Sequence, residues 1–534
     1  MGEEQGELKG LEFNAAIRVE AGGERLTDNA GAVLVREALE RSGMLSWLDE
    51  RLVDSRDPER VTHPQRELLA TLITMFALGW RDQDDADVLR RDPVMRLAVS
   101  ERAGDSPLRD VEVAPGDRNP TVPNGLGSQP TLSRQVHRLA SHEQCATLRE
   151  GLLEQSGRRV RQANGGRRLA HVTMDVDGVP VEVAGHQPGA LYHGHYGQTM
   201  YHPLVVTSAE LGDLLDVRLR RGTAHSADGA LEQVVDVARR ARQCLARTVS
   251  VRMDAGMPSE DLLFGLEAER VPYTARIRDN SRLDALAKPY LKRPVGRPPT
   301  EPREWTHELT YKAEKWSRPR RAVLVVQERP DDLYLHHFWL VTSYDEERYD
   351  GAALLALYRH RGKAEGHFGE LMDVLDPKLS SSPRGRFTLE PEFIGPLRPE
   401  DDRFFRANEA LLVLNALAYN VMHAIRTQLD ATETGDDRWS IKRVRERVLR
   451  VAGRITLHAR RVVISITDAT ERHWRALWPR LAWLDDPGTP SRPALTFRAR
   501  SALRPVLPTS RRSFGAPRKG QTRPKFASLS TILH

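Results

Sequence analysis

The sequence is poor in cysteine, in aromatic residues and in long hydrophobic runs. Its 534 residues include two cysteines, Cys145 and Cys244, which are too few for a disulfide framework or a cysteine-built zinc site. The longest apolar run, residues 68–80, is about 13 residues long and too short to span a bilayer. The first residues lack the basic and apolar regions of a signal peptide. We therefore expect a soluble, cytoplasmic protein of several domains with no membrane contact.

Acidic residues are missing from the C-terminal segment. Residues 487–534 contain ten Lys and Arg side chains and no Asp or Glu, whereas residues 1–486 contain 70 basic and 74 acidic side chains. The main part of the chain is therefore close to neutral and would bind nucleic acid only through local basic patches. The Pro-, Ser- and Arg-rich segment 487–534 is predicted to be a basic disordered tail.

Hydrophobic periodicity divides the rest of the chain. The fold class that we expect is α/β, with a mixed sheet preceded by an all-α region and interrupted by a β-rich insertion. The predicted segments are a flexible N-terminus (1–28), a helical region (29–160), an α/β region (168–430) with its insertion (279–345), and a small mixed segment (431–486).

A short basic helix ends the helical region. Residues 128–139 place Pro130 in the first helical turn and Arg134, His137 and Arg138 on an outward face. A basic helix that follows other helices fits a helix-turn-helix DNA reader. The alternative is an ordinary surface helix.

Strands begin at residue 171, where apolar and β-branched residues alternate. Helices are predicted between the later strands, and two longer helices follow at residues 350–375 and 404–429, the second apolar on nearly all sides. The predicted strands of the α/β region are 171–177, 203–207, 214–219, 249–253 and 273–277.

Four carboxylates stand out by their positions. Asp175 and Asp177 lie two apart on one strand and so face the same way, and Asp254 ends another strand. Glu365 interrupts the apolar stripe of helix 350–375 together with Arg361, four residues earlier. Burying these charges unpaired is costly, so they must pair with each other, bind metal or contact a ligand.

Oxygen ligands of this kind suit Mg²⁺ or Mn²⁺. Two such ions about 4 Å apart activate water and stabilise the leaving oxygen in phosphodiester cleavage. For any single carboxylate, the alternative is a solvated turn or helix cap.

The order and spacing of several sequence blocks resemble DDE transposases, and among them the insertion-sequence-1380 family of bacterial elements. The resemblance covers about residues 15–465. The blocks are Gln129-Pro-Thr-Leu-Ser-Arg134, Thr173-Met-Asp-Val-Asp-Gly178, Gly185-His-Gln187, Leu219-Arg-Arg-Gly-Thr223, Arg252-Met-Asp-Ala-Gly256, and Tyr358, Arg361 and Glu365 in the spacing of the family's glutamate signature.

This resemblance implies an RNase H-like catalytic core in residues 168–430. It implies that Asp177, Asp254 and Glu365 bind two Mg²⁺ or Mn²⁺ ions, with Asp175 as the alternate for Asp177. The implied reaction is strand cleavage at terminal inverted repeats and joining of the 3′-OH ends to target DNA. The helical region would bind the repeats, and a homodimer on DNA in the bacterial nucleoid is expected.

The resemblance also assigns DNA contacts and shows two departures. Tyr358 and Arg361 would grip the phosphate beside the cut. The lysine expected after the glutamate is Met372, a loss for which Lys363 or Arg361 could compensate, and a threonine expected in the first block is Val179.

The insertion adds further candidates for DNA contact. Trp316 and Trp339 could stack on a flipped base, although core packing is the alternative for each. Residues 292–299 resemble an AT-hook, which would place Arg297 in a narrow minor groove, and the alternative is a Pro-rich loop.

Two other functions fit the same residues. A DNA-binding protein that no longer cleaves and a non-transposing RNase H-like nuclease are the two rivals to a transposase. Four histidines in one loop suggest a zinc site, but their spacing matches no strong motif and a polar loop is the alternative. These histidines are His186, His193, His195 and His202.

Overall fold

The computed structural model describes residues 25–102, 104–109, 126–297, 299–330, 332–381, 397–432, 438–458 and 461–481. The side chains of residues 363, 364, 365 and 368 lie outside this description. Residues 1–24 of the predicted flexible N-terminus (1–28) and the predicted basic tail 487–534 also lie outside the described residues. The end of the predicted flexible segment differs from the prediction, because Leu26–Thr27 is paired as a strand.

A mostly helical region comes first and is opened by a short strand. Ser128 lies at the amino end of its sixth helix and Pro130 in the first turn, where the missing proline N–H has no helical partner to lose. In chain order the elements are β1 (Leu26–Thr27), α1 (Ala32–Arg41), α2 (Met44–Arg51), α3 (Gln65–Leu78), α4 (Ala86–Leu89), α5 (Pro93–Val99), α6 (Gln129–Arg138) and α7 (His142–Ala163).

A mixed α/β region follows and contains a large sheet, which agrees with the predicted class. Its elements are β2 (Leu169–Gly178), β3 (Val181–Glu182), β4 (Leu191–His193), β5 (Gln198–Tyr201), β6 (Leu204–Ser208), β7 (Leu214–Arg218), α8 (Ala230–Cys244), β8 (Ala246–Met253), α9 (Glu260–Ala268), β9 (Tyr273–Ile277), α10 (Ser281–Ala287), β10 (Arg303–Tyr311), β11 (Arg320–Glu328) and β12 (His336–Thr342).

The described strands form an eight-stranded sheet in the order β10-β11-β12-β9-β8-β2-β6-β7. Strands β2, β8 and β9 run parallel, and the strands on either side of this trio are antiparallel. The strands of the insertion, β10–β12, therefore continue the sheet beyond β9. An apolar core of buried side chains from β2, β8, α8 and α9 packs on the sheet.

The remaining elements are α11 (Gly351–Arg359), α12 (Gly362–Glu370), α13 (Pro399–Asp430), α14 (Ile441–Val444), β13 (Gly453–His458), β14 (Arg461–Ser465) and α15 (Asp468–Leu481). The single helix predicted over 350–375 is interrupted at residues 360–361 and ends in a π-helical turn, Leu371–Leu375.

Helix α13 confirms the predicted core helix and is longer than expected. From residue 407 to residue 429 every side chain except that of Thr427 is buried. Helices α3 and α7 and edge strand β7 all pack against it. Its Asn420 side chain accepts a bond from the Leu214 N–H and donates to the Leu214 carbonyl, both at 2.9 Å, so the helix satisfies polar backbone groups of the edge strand.

A small three-stranded sheet joins the first and last parts of the described chain. Strand β1 pairs with β13, with Leu26 opposite Arg454, and β13 pairs with β14. Nearby, a Cβ on Gly31 would lie 2.3 Å from the Leu449 Cα, so only glycine permits this close approach of two backbones. Among the described residues, no helix is long and apolar enough to cross a membrane.

Candidate active site

The carboxyl ends of β2 and β8 bring two of the predicted carboxylates together. The strands are parallel and in register, with Asp175 opposite Arg252, so the polar face continues two residues further to Asp177 and Asp254. Arg361 links these two carboxylates: its guanidinium lies 2.6 Å from Asp177 Oδ2 and 3.9 Å from Asp254 Oδ1. The side chain of Asp254 is 49% exposed, so this end of the sheet opens to solvent.

Local backbone geometry fixes Asp177. Its Oδ1 accepts a hydrogen bond from the N–H of Gly178 at 2.9 Å, which leaves Oδ2 to accept from Arg361. A Cβ on residue 178 would lie 2.6 Å from His202 Nε2, so the glycine after Asp177 is required by the packing of this turn. Burial lowers the pKa of His202 and so favours its neutral form.

Asp175 has a different environment. Its side chain is 1% exposed, and its two oxygens accept from Arg252 Nε and Nη2, each at 2.7 Å. Burial raises the pKa of the Asp175 carboxyl, and the Arg252 guanidinium opposes this shift. In the structure, both oxygens of this carboxylate are therefore occupied by a buried bidentate ion pair.

Arg252 also explains how α11 is attached to the sheet. Where the helix breaks, the Arg361 N–H bonds to the Tyr358 carbonyl in a tighter turn, and the Leu357 carbonyl is not used by it. Arg252 Nη1 donates to this Leu357 carbonyl at 2.8 Å. One guanidinium thus binds both Asp175 and the end of α11, and the break places Arg361 above the strand ends.

The third predicted carboxylate follows directly along the chain. Glu365 lies in α12, four residues after Arg361, but its side chain and that of Lys363 lie outside the described residues. Met372, in place of the expected lysine, lies in the π-helical turn that continues α12 and is half-buried. Among the described side chains, no group of three or more His, Cys, Asp or Glu could hold a metal ion.

The aromatic candidates are in apolar surroundings. Tyr358 is half-buried and packs against the small core cluster between α11 and the insertion strands. Trp316 is 6% exposed, with its ring edge-to-face against Tyr311 and under the Arg320 guanidinium at 5.0 Å. Trp339 is fully buried. The structure therefore places both tryptophans in the core, which is the alternative given for them above, and not on a surface that a base could reach.

The basic candidates for DNA contact lie on helix α6 and in the loop before β10, and not on strands β2 and β8. Arg134 is exposed on α6, whereas Arg138 is half-buried and donates to Gln135. The third outward residue predicted there, His137, packs edge-to-face on Phe404 of α13. Arg297 is exposed in the loop before β10.

The four-histidine loop forms ring contacts in the structure. His193 lies edge-to-face with His195 and with His202, with ring centroids 6.4 and 6.0 Å apart. Tyr196 packs among these three rings, and His186 is exposed.

Sequence reasoning missed a group of buried charges between the sheet edge and the helices. Asp216 of β7 forms a bidentate pair with Arg149 of α7 at 2.6 and 2.8 Å, and Asp213 lies 2.6 Å from Arg159. These two carboxylates are 0 and 1% exposed. The sequence signal for these pairs is the presence of Asp213 and Asp216 beside and within the apolar strand β7. Acids at such positions are buried and therefore need basic partners.

Comparison with known proteins identifies the family of this chain. None of the curated proteins matches the sequence. A solved structure, the cryo-EM structure of the piggyBac transposase synaptic complex with hairpin DNA, is similar at 11% sequence identity, covers 86% of this chain and 86% of that chain, and has a TM-score of 0.36. The family model for transposase DDE domain group 1 matches residues 9–382. This match spans more than half of the chain, which therefore belongs to the transposase DDE domain group 1 family.

Proposed function

We propose that this chain is a transposase of the insertion-sequence-1380 type that cuts DNA at terminal inverted repeats and joins the 3′-OH ends to target DNA. The observation that supports this best is the pairing of Arg361 with both Asp177 and Asp254 at the ends of two adjacent parallel strands. Arg361 already places a positive charge beside both carboxylates, and the same place would suit metal ions and a phosphate.

The donor chemistry fits Mg²⁺ or Mn²⁺. Asp177 and Asp254 offer carboxylate oxygens at one open end of the sheet, and oxygen ligands are those that both ions prefer. We propose that these residues, with Glu365 from α12, hold two ions. When bound, the ions would supply the Lewis acidity that activates water and stabilises the leaving 3′-oxygen.

The residues of the chain have distinct roles in this proposal. Arg361 neutralises Asp177 and Asp254 before DNA binds and then contacts the phosphate beside the cut. Tyr358, one helical turn earlier, positions the same phosphate. Asp175 is a positioning residue, because it binds Arg252 and this arginine also binds the end of α11.

The sheet order supports an RNase H-like core. Strands β7, β6 and β2 form an antiparallel meander at one side, and β8 and β9 add in parallel on the other side of β2. Asp177 lies on β2, the central strand of these five, and Asp254 directly follows the neighbouring strand β8. We propose that helices α1–α7 contact the terminal repeats through α6 and that two copies act together on DNA.

The test is a cleavage assay on the full chain. A labelled duplex with the inverted repeat that flanks the gene is incubated with Mg²⁺ or Mn²⁺ and wild type, Asp254→Ala or Asp261→Ala. Asp261 is an exposed carboxylate in the first turn of α9 and serves as the matched control. We expect a metal-dependent nick at the repeat boundary with wild type and Asp261→Ala, and none with Asp254→Ala.

Two other outcomes would decide against this function. Specific binding of the repeat without a cut in either metal would favour a DNA-binding protein that has lost cleavage, and Met372→Lys would then be the next variant. Cleavage that ignores the repeat sequence would favour a non-transposing nuclease.

A further inference from the structure

A basic cleft lies at the opposite end of the same strands, where β2 and β8 begin. Its volume is about 380 Å³. The strand ends contribute His171 and Thr248 to its lining, and the buried ring of Tyr344 closes one side. His171 is fixed there, because its two ring nitrogens lie 3.0 Å from the hydroxyls of Thr248 and Ser250.

Four arginines surround this cleft, and among the described residues no ion pair joins any of them to a carboxylate. Arg242 donates to the backbone carbonyls of Glu269 and Arg270, each at 2.8 Å. Arg247, Arg270 and Arg348 are exposed and form no ion pair within the described chain, and Arg348 stacks over Tyr344.

The acid that lines the cleft does not cancel this charge. Glu269 Oε1 is bound by Arg239 at 2.6 Å, so its charge is already matched by an arginine outside the lining. Three guanidinium groups without an ion-pair partner in the described chain, those of Arg247, Arg270 and Arg348, surround one concavity. They form an anion site, because arginine pairs well with phosphate oxygens.

Arg270 also occupies a backbone position that favours glycine. Its φ is +53°, and it follows the last turn of α9. The Arg270 N–H bonds to the Glu267 carbonyl and the Val271 N–H to the Leu266 carbonyl, which is the Schellman pattern that usually ends with glycine. An arginine at this position points to a use for its side chain that outweighs the backbone preference.

We propose that this cleft binds backbone phosphates of duplex DNA, as a contact separate from the active site. The inference rests on the proposed action on DNA. Six residues of β2 separate His171 from Asp177, about 20 Å at 3.3 Å per residue. A duplex covers that length in about six base pairs. The cleft therefore adds affinity that does not depend on sequence, some distance from the cut.

The test measures duplex binding by the full-length protein without divalent metal, over a series of salt concentrations. The variants are Arg270→Gly and the triple variant Arg247→Gln, Arg270→Gly, Arg348→Gln. Arg472→Gln, which removes one exposed arginine from α15, is the matched control for the loss of one charge. Each variant is tested on the repeat duplex and on a scrambled duplex.

We expect the slope of log K against log salt to fall by about 1 for Arg270→Gly and about 3 for the triple variant, equally for both duplexes. Arg472→Gln should keep the wild-type slope. Arg270→Gly should melt at or above the wild-type temperature, because glycine suits this backbone position.

Wild-type slopes in the triple variant would overturn the inference, as would a loss confined to the repeat duplex. Failure of the wild type to bind either duplex without metal would overturn it too. None of these results decides the proposed function, because cleavage at the repeat is scored separately with metal present.

Discussion

Two arginine–aspartate pairs lie two residues apart on strand β2 and differ in almost every physical respect. The Asp175–Arg252 pair is bidentate, and its side chains are 1 and 3% exposed. The Asp177–Arg361 pair has one short contact, its side chains are 23 and 11% exposed, and its arginine also lies near Asp254.

The difference shows that one strand can carry both an ion pair that stabilises the fold and an ion pair that lies at the candidate active site. A buried pair cannot exchange its partner without leaving an uncompensated charge, so Arg252 fixes the strand and the end of α11. A pair at the open strand end can exchange its partner for an ion or a phosphate at much lower cost. A step of two residues along β2, from Asp175 to Asp177, separates the buried pair from the pair at the open end.

The largest expected effect comes from breaking the buried pair. Asp175→Asn leaves the Arg252 charge buried and unpaired, and we expect it to destabilise the fold by about 3–5 kcal/mol. Chemical denaturation of the full chain, followed by circular dichroism, measures this change. A variant that is as stable as wild type but does not cleave DNA would instead make Asp175 the metal ligand.

The same substitution two residues further along β2 should lower the rate of DNA cleavage. Asp177→Asn is expected to reduce cleavage of the repeat by about 10²–10³-fold or more, the loss seen when a group that stabilises the transition state is removed. Stability should change much less than for Asp175→Asn, because Asp177 is partly exposed and Arg361 keeps Asp254 beside it. Single-turnover cleavage and the denaturation midpoint test both parts. A large loss of stability would remove the distinction between the two pairs.

A third buried site extends the comparison to pH. His423 of α13 lies with Nε2 2.6 Å from the Leu211 carbonyl and Nδ1 facing an Arg426 N–H donor, so only the neutral ring fits. Burial holds the pKa of His423 well below its ordinary value of 6.5. A lowered pKa stabilises the fold above pH 6.5, and this stability is lost as the pH falls.

We therefore expect the melting temperature of wild type to fall as the pH drops below 6.5, and His423→Gln to reduce that dependence. His458→Gln changes an exposed histidine of β13 and is the matched control. Equal pH profiles for wild type and His423→Gln would contradict the buried neutral ring. Burial lowers the pKa of His367 as well, so some dependence should persist.

The smallest effect is expected at a pair whose buried arginine has a second carboxylate partner, since Arg320 also binds Glu267 at 2.8 Å. Arg320 of β11 binds Glu260 of α9 at 2.6 Å, and this hydrogen bond lowers the pKa of Glu260 to about 2. The contribution to stability is present above pH 4.5 and is lost as the pH falls towards 2. Glu260→Gln should therefore weaken the fall of the melting temperature in acid. At neutral pH we expect a change of less than about 1 kcal/mol, because Arg320 keeps its two hydrogen bonds to Glu267. A larger change at neutral pH would show that Glu267 does not compensate for the lost partner of Arg320.

Local patterns predicted much of the sheet and part of the site. The alternation over residues 171–177 gave strand β2, and the positions of Asp177 and Asp254 at strand ends gave their proximity. The pairing of Asp175 with Arg252 was not predicted, because it depends on the register of two strands that are 77 residues apart.

Other features depended on contacts that the local sequence does not encode. Gly362 directly follows the interruption and weakens the helix there, but a glycine alone does not fix where the helix breaks. The break accompanies the contacts of Leu357 with β8 and of Arg361 with β2. The same limit applies to Trp316, whose burial depends on Tyr311 and Arg320 from neighbouring insertion strands.

The pairing of β1 with β13 has a consequence for synthesis of the chain. Leu26 meets Arg454 only after the intervening sequence has left the ribosome. At about 5–20 residues per second, this takes about 20–90 s. During that time the first strand lacks its partner, and the backbone around Gly31 lacks Leu449, on which it packs. The N-terminal helices therefore reach their final packing only when translation is nearly complete.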